Sequence, residues 1–415
     1  MNDGRWIALF CLARCGFALI FVAYSAALGL LKQEWGLSSA QAGLIQSAWH
    51  VGYLVSLFVI GFLADRYGAK RTYLATSVAA CASGLAFALF ADGFTSALLL
   101  HGLAGLCSGG SYTPGMTLVA ERFPAVRRGR VMGFYLAAAS FGYALSLWLS
   151  SALIVTSGWR SALLACALGP VAASLLSAWV LRHTRNVVHA GGYKNPLHAL
   201  AEVWRNKPAM LAVWAYVFHS WELLGMWAWM PTYLGAVIAH GGGGGAGVAG
   251  LGIAFAALTY LLSTAGSIGG GVLSDRWGRT AVILLMSLAS LVCSFSFGWM
   301  IAAPIWLVVA MGVAYNLTAI GDSSIYSTAM TELVPAHCMG AAWALRSVLG
   351  FGFGAIAPWV FGLVLDFGQG AGGARADAAW GWAWTALGIG AMFGPIATLR
   401  LRARRESAQM AGGKR

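Results

Sequence analysis

Charged residues are scarce in this 415-residue chain: they make up 9% of it, whereas hydrophobic residues make up 59%. Soluble domains contain about 25% charged and about 45–50% apolar residues. The composition therefore excludes an ordinary soluble domain. Apolar stretches of about 20 residues recur from end to end, and each is long enough to cross a hydrocarbon core of about 30 Å. The sequence predicts an integral membrane protein.

Motifs of enzymes and of bound metals are also missing. The sequence contains no G-x-x-x-x-G-K-[ST] phosphate loop, so ATP is not expected to drive the protein directly. No Ser-His-Asp order falls in a plausible aqueous site, and the seven cysteines show no metal-ligand spacing. The first apolar segment lacks a small-residue cleavage site, which indicates a membrane span and not a signal peptide. We expect a protein that is not an enzyme and has neither a cofactor nor a metal.

Twelve apolar segments indicate an all-α membrane protein with twelve transmembrane helices. They lie at about 6–31, 40–63, 72–91, 95–119, 131–155, 161–181, 209–239, 249–273, 280–301, 304–329, 341–365 and 380–400.

Acidic residues number only 13 against 26 Lys and Arg, which gives a formal net charge of +13. If both termini are cytoplasmic, 21 of these 26 basic residues fall in cytoplasmic segments. This is the positive-inside bias of membrane proteins. The excess is therefore read as an orientation signal, with attraction to anionic lipid, and nucleic acid is not expected as a partner.

Internal repeats divide the chain into two halves. The polar stretch 182–208 separates six spans from six, so we expect one bundle at 1–181, a cytoplasmic linker at 182–208, a second bundle at 209–400 and a basic cytoplasmic tail at 401–415. The sequence after span 4, ERFPAVRRGRVMG, matches ELVPAHCMG after span 10, which places Glu121 against Glu332. Two six-helix halves in the same orientation follow.

The most specific repeat is a short charged loop. GFLADRYGAKR at 61–71 has a near copy, GVLSDRWGRT, at 271–280. Both copies resemble the signature G-x-L-x-D-R-x-G-[RK]-[RK], found between helices 2 and 3 of the major facilitator superfamily of secondary transporters. Ala69 departs from the usual basic residue. The matching residues are Gly61, Leu63, Asp65, Arg66, Gly68, Lys70 and Arg71 in the first copy and Gly271, Leu273, Asp275, Arg276, Gly278 and Arg279 in the second.

The resemblance implies a cytoplasmic gate that locks the halves together while the outside is open. The aspartate of the loop can accept from the N-terminus of a helix in the opposite half, where the helix dipole favours an anion. The glycines allow close approach and a sharp turn. We expect Arg66, Lys70 and Arg71 to stay in the headgroup layer and to pair with Glu121, and Arg346 to belong to this gate. Orientation alone would need the bases but not the aspartate.

Ionisable residues inside spans are costly and are functional candidates by default. Glu222 in span 7 lies about 20 Å from the linker, and His219 lies three residues earlier on the same face. Burial disfavours a charged carboxylate, which suits a proton carrier. The alternative is a structural Glu222–His219 hydrogen bond. Asp322 in span 10 shares a face with Tyr315, which indicates a cavity lining or, alternatively, a cap on a kinked helix.

Three further residues are candidates within spans 1, 2 and 4. Arg14 lies about 12 Å inside span 1, where it can hold an anionic substrate or snorkel to the surface. The resemblance favours an anion, since the superfamily contains anion carriers with an arginine in helix 1. His50 and His101 titrate near neutral pH, but a lone helical histidine is more often a packed hydrogen-bonding residue. His101 stands where many proton-coupled members have an arginine.

These observations predict a monomeric secondary transporter that works by alternating access, and the resemblance implies that it lies in an inner (plasma) membrane. Proton-coupled uptake of a small organic anion is preferred, because span 5 lacks the G-x-x-x-G-P-x-x-G-G pattern of drug–proton antiporters in the superfamily. One alternative is a proton-coupled multidrug or metabolite exporter with an aromatic cavity. A second, from another class, is a membrane sensor or assembly protein of the same fold that does not transport.

Overall fold

The computed structural model describes residues 1–188, 196–243, 245–369 and 374–414. These residues form α-helices and short 3-10 turns, and no strand occurs among them. Residues 189–195 of the predicted linker lie outside the described residues. The helices are α1 (Asp3–Ala18), α2 (Ala23–Glu34), α3 (Ser39–Tyr67), α4 (Ala69–Phe90), α5 (Phe94–Ser108), α6 (Thr113–Arg122), α7 (Ala125–Leu181), α8 (Pro196–Arg205), α9 (Lys207–His240), α10 (Ala246–Trp277), α11 (Arg279–Phe297), α12 (Ile305–Gly321), α13 (Ser323–Leu333), α14 (Met339–Gln369), α15 (Ala374–Ala391) and α16 (Phe393–Arg402).

The predicted spans appear as whole helices or as broken pairs. Spans 1, 4, 10 and 12 are each broken, into α1–α2, α5–α6, α12–α13 and α15–α16. Conversely, α7 contains spans 5 and 6, which separate at Gly158, where the backbone has a φ of 81°. Within the described residues, nine helical stretches are long and apolar enough to cross a membrane, and one of them, Val131–Leu181, holds these two spans. The chain has the all-α, twelve-helix fold that the sequence predicted.

The breaks in spans 4 and 10 place polar side chains at helix ends inside the bundles. A 3-10 turn, Gly109–Ser111, joins α5 to α6, and Pro114 follows in the first turn of α6. Proline lacks a backbone N–H and therefore fits a helix start better than a helix interior. Asp322 alone joins α12 to α13. The two breaks occupy matching positions of the repeat, so Ser111 and Asp322 stand at corresponding points.

The described chain divides into two compact units. Unit 1 contains Met1–Leu37, Leu44–Gly192 and Gly244–Ala257, and unit 2 contains Ser38–Gly43, Tyr193–Gly243 and Leu258–Arg415. The first residues of α3 thus belong to unit 2, and the first residues of α10 belong to unit 1. The units differ from the predicted bundles in these two short segments and also include the predicted linker and tail. The bundle limits stay a prediction.

Each unit has a buried apolar interior and an apolar outer surface. In unit 1, Trp6, Phe10 and Tyr73 pack with Leu118 and Tyr135. Many large apolar side chains are exposed instead, such as Leu175 at 70% and Trp306 at 69%. In water such a surface would be costly, but lipid tails are as apolar as these side chains, so the exposed residues fit a protein whose solvent is a bilayer.

The amphipathic helix α8 comes from the predicted linker and belongs to unit 2. Its Ala199 and Val203 are buried in the same cluster as Leu333 and Cys338. Asn206 ends this segment and caps α9, because its Oδ1 accepts from the N–H of Ala209 at 3.1 Å. The Nδ2 atom of Asn206 also donates to the carbonyl of Leu333 at 3.0 Å, which connects the start of α9 to the end of α13.

Candidate functional site

Arg14 is a buried cation in unit 1, with a side chain 6% exposed. Its Nη1 donates to the Oγ of Ser111 at 2.5 Å, and its guanidinium carbon lies 5.8 Å from the ring centres of both Tyr112 and Tyr135. Its Nε has no hydrogen-bond partner, and no ion pair to Arg14 occurs among the described residues. A buried charge without a counter-charge is expensive. The arrangement therefore leaves donors of a fixed cation available to an anion.

His50 and His101 lie in an aromatic cluster of unit 1. The Nε2 of His50 lies 3.3 Å from the Nε2 of Gln46, and the ring centres of His50 and Trp49 are 5.4 Å apart. The His101 ring lies 4.9 Å from Tyr24 and 4.6 Å from Phe87, and neither of its nitrogens has a hydrogen-bond partner in the described structure. An imidazolium with two buried, unpaired N–H groups would be costly, so these contacts fit neutral packing histidines.

The first charged loop joins α3 to α4 through Gly68, whose φ of 88° favours glycine. Lys70 Nζ donates to the carbonyl of Thr184 at 2.8 Å. The Asn186 side chain accepts from the N–H of Arg71 at 3.1 Å and donates to a carbonyl of the loop at 2.8 Å. In this structure the loop is thus fastened to the segment that follows α7. Within the described part of unit 1, no atom lies within 4 Å of a Cβ placed on Gly61, so no close backbone approach requires that glycine.

His219 pairs with Asp322 in unit 2. The His219 Nδ1 and the Asp322 Oδ1 are 2.9 Å apart, and the His219 Nε2 lies 2.7 Å from the hydroxyl of Ser323. The Asp322 Oδ1 forms no hydrogen bond of acceptable geometry, so the two atoms are close without a hydrogen bond between them. Both side chains are buried, at 7% and 2% exposure. The break between α12 and α13 places the carboxyl group against α9.

Glu222 lies one turn further along α9 and has a different partner. Its Oε2 accepts from the hydroxyl of Ser290 on α11 at 3.0 Å, while Oε1 has no hydrogen-bond partner among the described residues. Tyr315 on α12 donates to Ser294, which is also on α11, at 2.9 Å. The predicted alternative of a Glu222–His219 hydrogen bond is not formed. A carboxyl group with one donor and one empty oxygen is better buried neutral than charged, so it is suited to carrying a proton.

Arg346 on α14 is buried in unit 2, and its environment is similar to that of Arg14. Its Nη1 donates to Ser327 at 2.8 Å, and its guanidinium carbon lies 4.3 Å from the ring centre of Tyr216 and 4.4 Å from that of Trp343. Its Nε also lacks a hydrogen-bond partner. Each unit thus holds one buried arginine that donates to a serine and lies beside two aromatic rings. The gate role expected for Arg346 stays a prediction.

The second charged loop forms an ion-pair network inside unit 2. Gly278 has a φ of 96° and separates α10 from α11. Arg279 Nη1 lies 2.5 Å from Asp275 Oδ1 and donates to Ser274 at 2.8 Å. The same side chain donates to Glu332 from Nη2 at 3.0 Å and from Nε at 3.3 Å. The second loop therefore binds the end of α13 through one arginine. Its fellow motif base, Arg276, is exposed.

The two copies of the loop are not equivalent. The position that Arg279 occupies in the second copy is held by Ala69 in the first, the residue that departs from the superfamily pattern. Asp275 consequently has an arginine four residues later, whereas Asp65 has alanine there. The pairing of Asp65 with the opposite half, and that of Arg66, Lys70 and Arg71 with Glu121, stay predictions.

A cluster of Glu202, His337 and Cys338 lies outside the spans, with one potential ligand atom of each within 4.8 Å of the others. His337 Nε2 is 3.2 Å from Glu202 Oε2, and this contact lowers the pKa of the carboxyl. Burial, together with the nearby Glu202, raises the pKa of the Cys338 thiol. The sulfur is therefore held as a protonated donor, and the cluster fastens α8 to the loop before α14. Linear spacing gave no signal of it, because Glu202 and His337 are 135 positions apart.

Sequence reasoning missed the hydroxyl partners of the charged groups. These partners come from distant spans, and serine is too common in helices to stand out. They are Ser111, Ser290, Ser323 and Ser327.

Comparisons with known proteins agree with this architecture. The sequence matches the profile of the Major Facilitator Superfamily over residues 9–358. It is 24% identical to the probable 4-methylmuconolactone transporter of Cupriavidus pinatubonensis, over 79% of this chain and 77% of that protein. It is 28% identical to the gallate transporter of Pseudomonas putida, over 82% and 80%. The structure of a D-xylose-proton symporter superposes with a TM-score of 0.76 at 15% identity, covering 97% of this chain and 98% of that one. The chain is therefore a multi-pass membrane protein that belongs to the Major Facilitator Superfamily, and it is a transporter and not an enzyme.

Proposed function

We propose that the protein couples proton flow to the uptake of a small organic anion by alternating access. The observation that carries this proposal is Arg14, a buried guanidinium with an unpaired Nε and no ion pair in the described structure. An arginine fork matches a carboxylate in geometry as well as in charge. The relatives named as transporters of 4-methylmuconolactone and gallate support a small organic compound as the substrate.

The aromatic rings beside Arg14 support a planar or unsaturated carboxylate. Tyr112 and Tyr135 lie at equal distances from the guanidinium, and Tyr135 is itself held by a 2.7 Å hydrogen bond from its hydroxyl to the carbonyl of Ser111. Rings fixed in this way contribute contact area to a ligand at little entropic cost. Arg346, with its similar contacts in unit 2, is a second candidate for binding an anionic group.

Glu222 is the proposed proton carrier, and the His219–Asp322 pair is the proposed proton-sensitive partner. Protonation of His219 would strengthen its contact with the Asp322 carboxylate, while loss of that proton would leave the buried carboxylate uncompensated. Glu222 accepts a hydrogen bond from the Ser290 hydroxyl and lies one turn from His219. The substrate would thus be bound by Arg14, whereas the proton would be bound by Glu222 on α9.

We propose that the protein lies in the inner membrane of the cell and that both of its termini are in the cytoplasm. The distribution of 21 of the 26 basic residues supports it. In this orientation both charged loops, Asp65–Arg71 and Asp275–Arg279, lie on the cytoplasmic side. We propose that they form the cytoplasmic gate, together with Glu121.

Binding is tested by thermal stability of the purified full chain in detergent, across small carboxylates, sulfonates and lipophilic cations. A ligand that binds only the folded state raises stability with its concentration. Wild-type protein should be stabilised by carboxylates such as gallate. Arg14→Gln should raise the carboxylate concentration that gives half of this stabilisation by about thirtyfold or more. One charge-assisted pair contributes at least about 2 kcal/mol in such a site.

A matched control separates this role from general charge. Arg160→Gln changes the same side chain type in unit 1, where Arg160 stacks on Trp159 and is exposed, and it should leave the carboxylate response intact. Stabilisation by cations only, lost in Glu222→Gln, would reject uptake of an anion and favour the exporter.

A further inference from the structure

A cavity of about 230 Å³ opens at the amino-terminal end of unit 1, away from Arg14. Three elements form it: the start of α1, the end of α6 and the segment from the end of α7 to Thr184. We call it the N-terminal cavity. Its lining includes Arg5, Trp6, Arg122, Trp179, Arg182 and Thr184.

The N-terminal cavity has an excess of positive charge. Arg122 is paired with Asp3, at 2.9 Å, and stacks on Trp6 at 4.9 Å. Arg5 and Arg182 both lie over the ring of Trp179, at 6.0 and 5.3 Å, and neither has an ion pair among the described residues. Two guanidinium groups on one indole repel each other unless an anion lies between them. Two cations thus lie beside one indole ring, and neither has a counter-charge among the described residues.

Buried donors without partners line the same cavity. The Nε1 of Trp6 and the hydroxyl of Thr184 have no hydrogen-bond partner in the described structure, and Trp6 is only 1% exposed. An indole N–H is a donor only, and a buried donor left unpaired costs free energy. Most buried polar groups in proteins do find a partner. A ligand rich in acceptor oxygens would satisfy both donors and both free arginines.

We propose that the N-terminal cavity binds a phosphate group, carried either by an anionic membrane lipid or by a soluble phosphate compound. Phosphate is favoured over carboxylate because it presents more acceptor oxygens, and arginine forks match it well. The lining carries three arginines, of which Arg122 is paired with the neighbouring carboxylate of Asp3. The volume accommodates a phosphate group with part of the molecule to which it is attached.

The bound phosphate would also fasten the first charged loop. The carbonyl of Thr184 accepts from Lys70 Nζ at 2.8 Å, and that of Arg182 accepts from the same atom at 3.4 Å. Occupancy of the cavity orders this segment from one side while Lys70 holds it from the other. The phosphate site is thus separate from substrate binding at Arg14 and adjacent to the loop proposed as a gate.

The test uses the purified full chain in detergent after removal of bound lipid. Thermal stability is followed while inorganic phosphate, dihexanoyl phosphatidylglycerol or dihexanoyl phosphatidylcholine is added at constant ionic strength. We expect stabilisation of the wild type by phosphatidylglycerol at lower concentration than by phosphatidylcholine. If inorganic phosphate is as effective as phosphatidylglycerol, the source is a soluble phosphate compound. If it is much weaker, the source is the lipid. Absence of stabilisation by all three overturns the proposal.

Two sets of variants identify the site. Arg5→Gln/Arg182→Gln removes two exposed guanidinium groups and should raise the half-effective concentration at least about tenfold. Trp6→Phe keeps an aromatic ring at the buried position, removes the N–H together with part of the indole, and should raise it about fivefold. Arg185→Gln/Arg205→Gln makes the same change of charge at exposed arginines that do not line the cavity. If the control pair raises the half-effective concentration equally, the effect is one of net charge and the proposed site is wrong.

Discussion

Removing Arg279, the first residue of α11, should destabilise unit 2. Its side chain is 9% exposed and lies between two carboxylates. Asp275 is 68% exposed, so the pair with it contributes at most about 0.5 kcal/mol. Glu332 is 23% exposed and accepts two bonds, which together contribute about 1.5 kcal/mol. Arg279→Ala should therefore lower the free energy of unfolding by about 2 kcal/mol, or about thirtyfold in the unfolding equilibrium.

The assay is equilibrium unfolding in mixed micelles, followed by tryptophan fluorescence, and the control is Arg276→Ala. Arg276 lies in the same loop, carries the same charge and is exposed, so its removal should change the free energy by no more than about 0.5 kcal/mol. Equal losses in the two variants would show that net charge and not the network matters. A loss below about 0.5 kcal/mol for Arg279→Ala would refute the reasoning.

Three further experiments test a helix cap, the packing of a glycine and the contact between His219 and Asp322. Asp366→Asn should cost about 1 kcal/mol in unfolding measurements, because its carboxylate accepts from the N–H groups of Ser39 and Ala40 at 2.7 Å each; no loss would show that the cap is idle. Gly105→Ala should cost about 1–3 kcal/mol, since its Cβ would lie 2.1 Å from the carbonyl oxygen of Trp49, whereas Gly61→Ala should be neutral or stabilising; equal effects would contradict the packing. In a double-mutant cycle, His219→Gln and Asp322→Asn should show about 1–3 kcal/mol of coupling, and additive losses would mean that the 2.9 Å contact has no energetic role.

Much of the fold could be predicted because it is encoded by local composition. Apolar runs of membrane length predicted the spans, and the repeated loop predicted the family. The break at Ser111 was not predicted, and a kink at Asp322 was predicted only as an alternative. A hydropathy pattern averages over about 20 residues and does not register one or two residues that leave the helix. Gly158 and the paired glycines 68 and 278 are clearer signals, because their positive φ values require a residue without a side chain.

Partners of the buried charges were harder to predict than the charges themselves. Glu222 and His219 share a face of α9, so the sequence suggested that they bond to each other. In the structure His219 contacts Asp322, which is 103 positions away, and Glu222 accepts from Ser290. Similarly, Arg346 was expected in the gate, and its sequence position gave no sign that it packs beside Tyr216 and Trp343. Helical periodicity specifies which residues share a face but not which neighbouring helix that face meets.

Transport driven by a proton gradient tests the central claim most directly. The full chain is reconstituted into liposomes, and uptake of the carboxylate that stabilises it most is measured with and without an imposed pH gradient. We expect the wild type to accumulate the carboxylate on the alkaline side. Glu222→Gln should lose this accumulation but retain exchange of the carboxylate, and Arg14→Gln should lose both. Unchanged gradient-driven accumulation in Glu222→Gln would contradict the proposed proton carrier, and normal uptake by Arg14→Gln would contradict the proposed anion site.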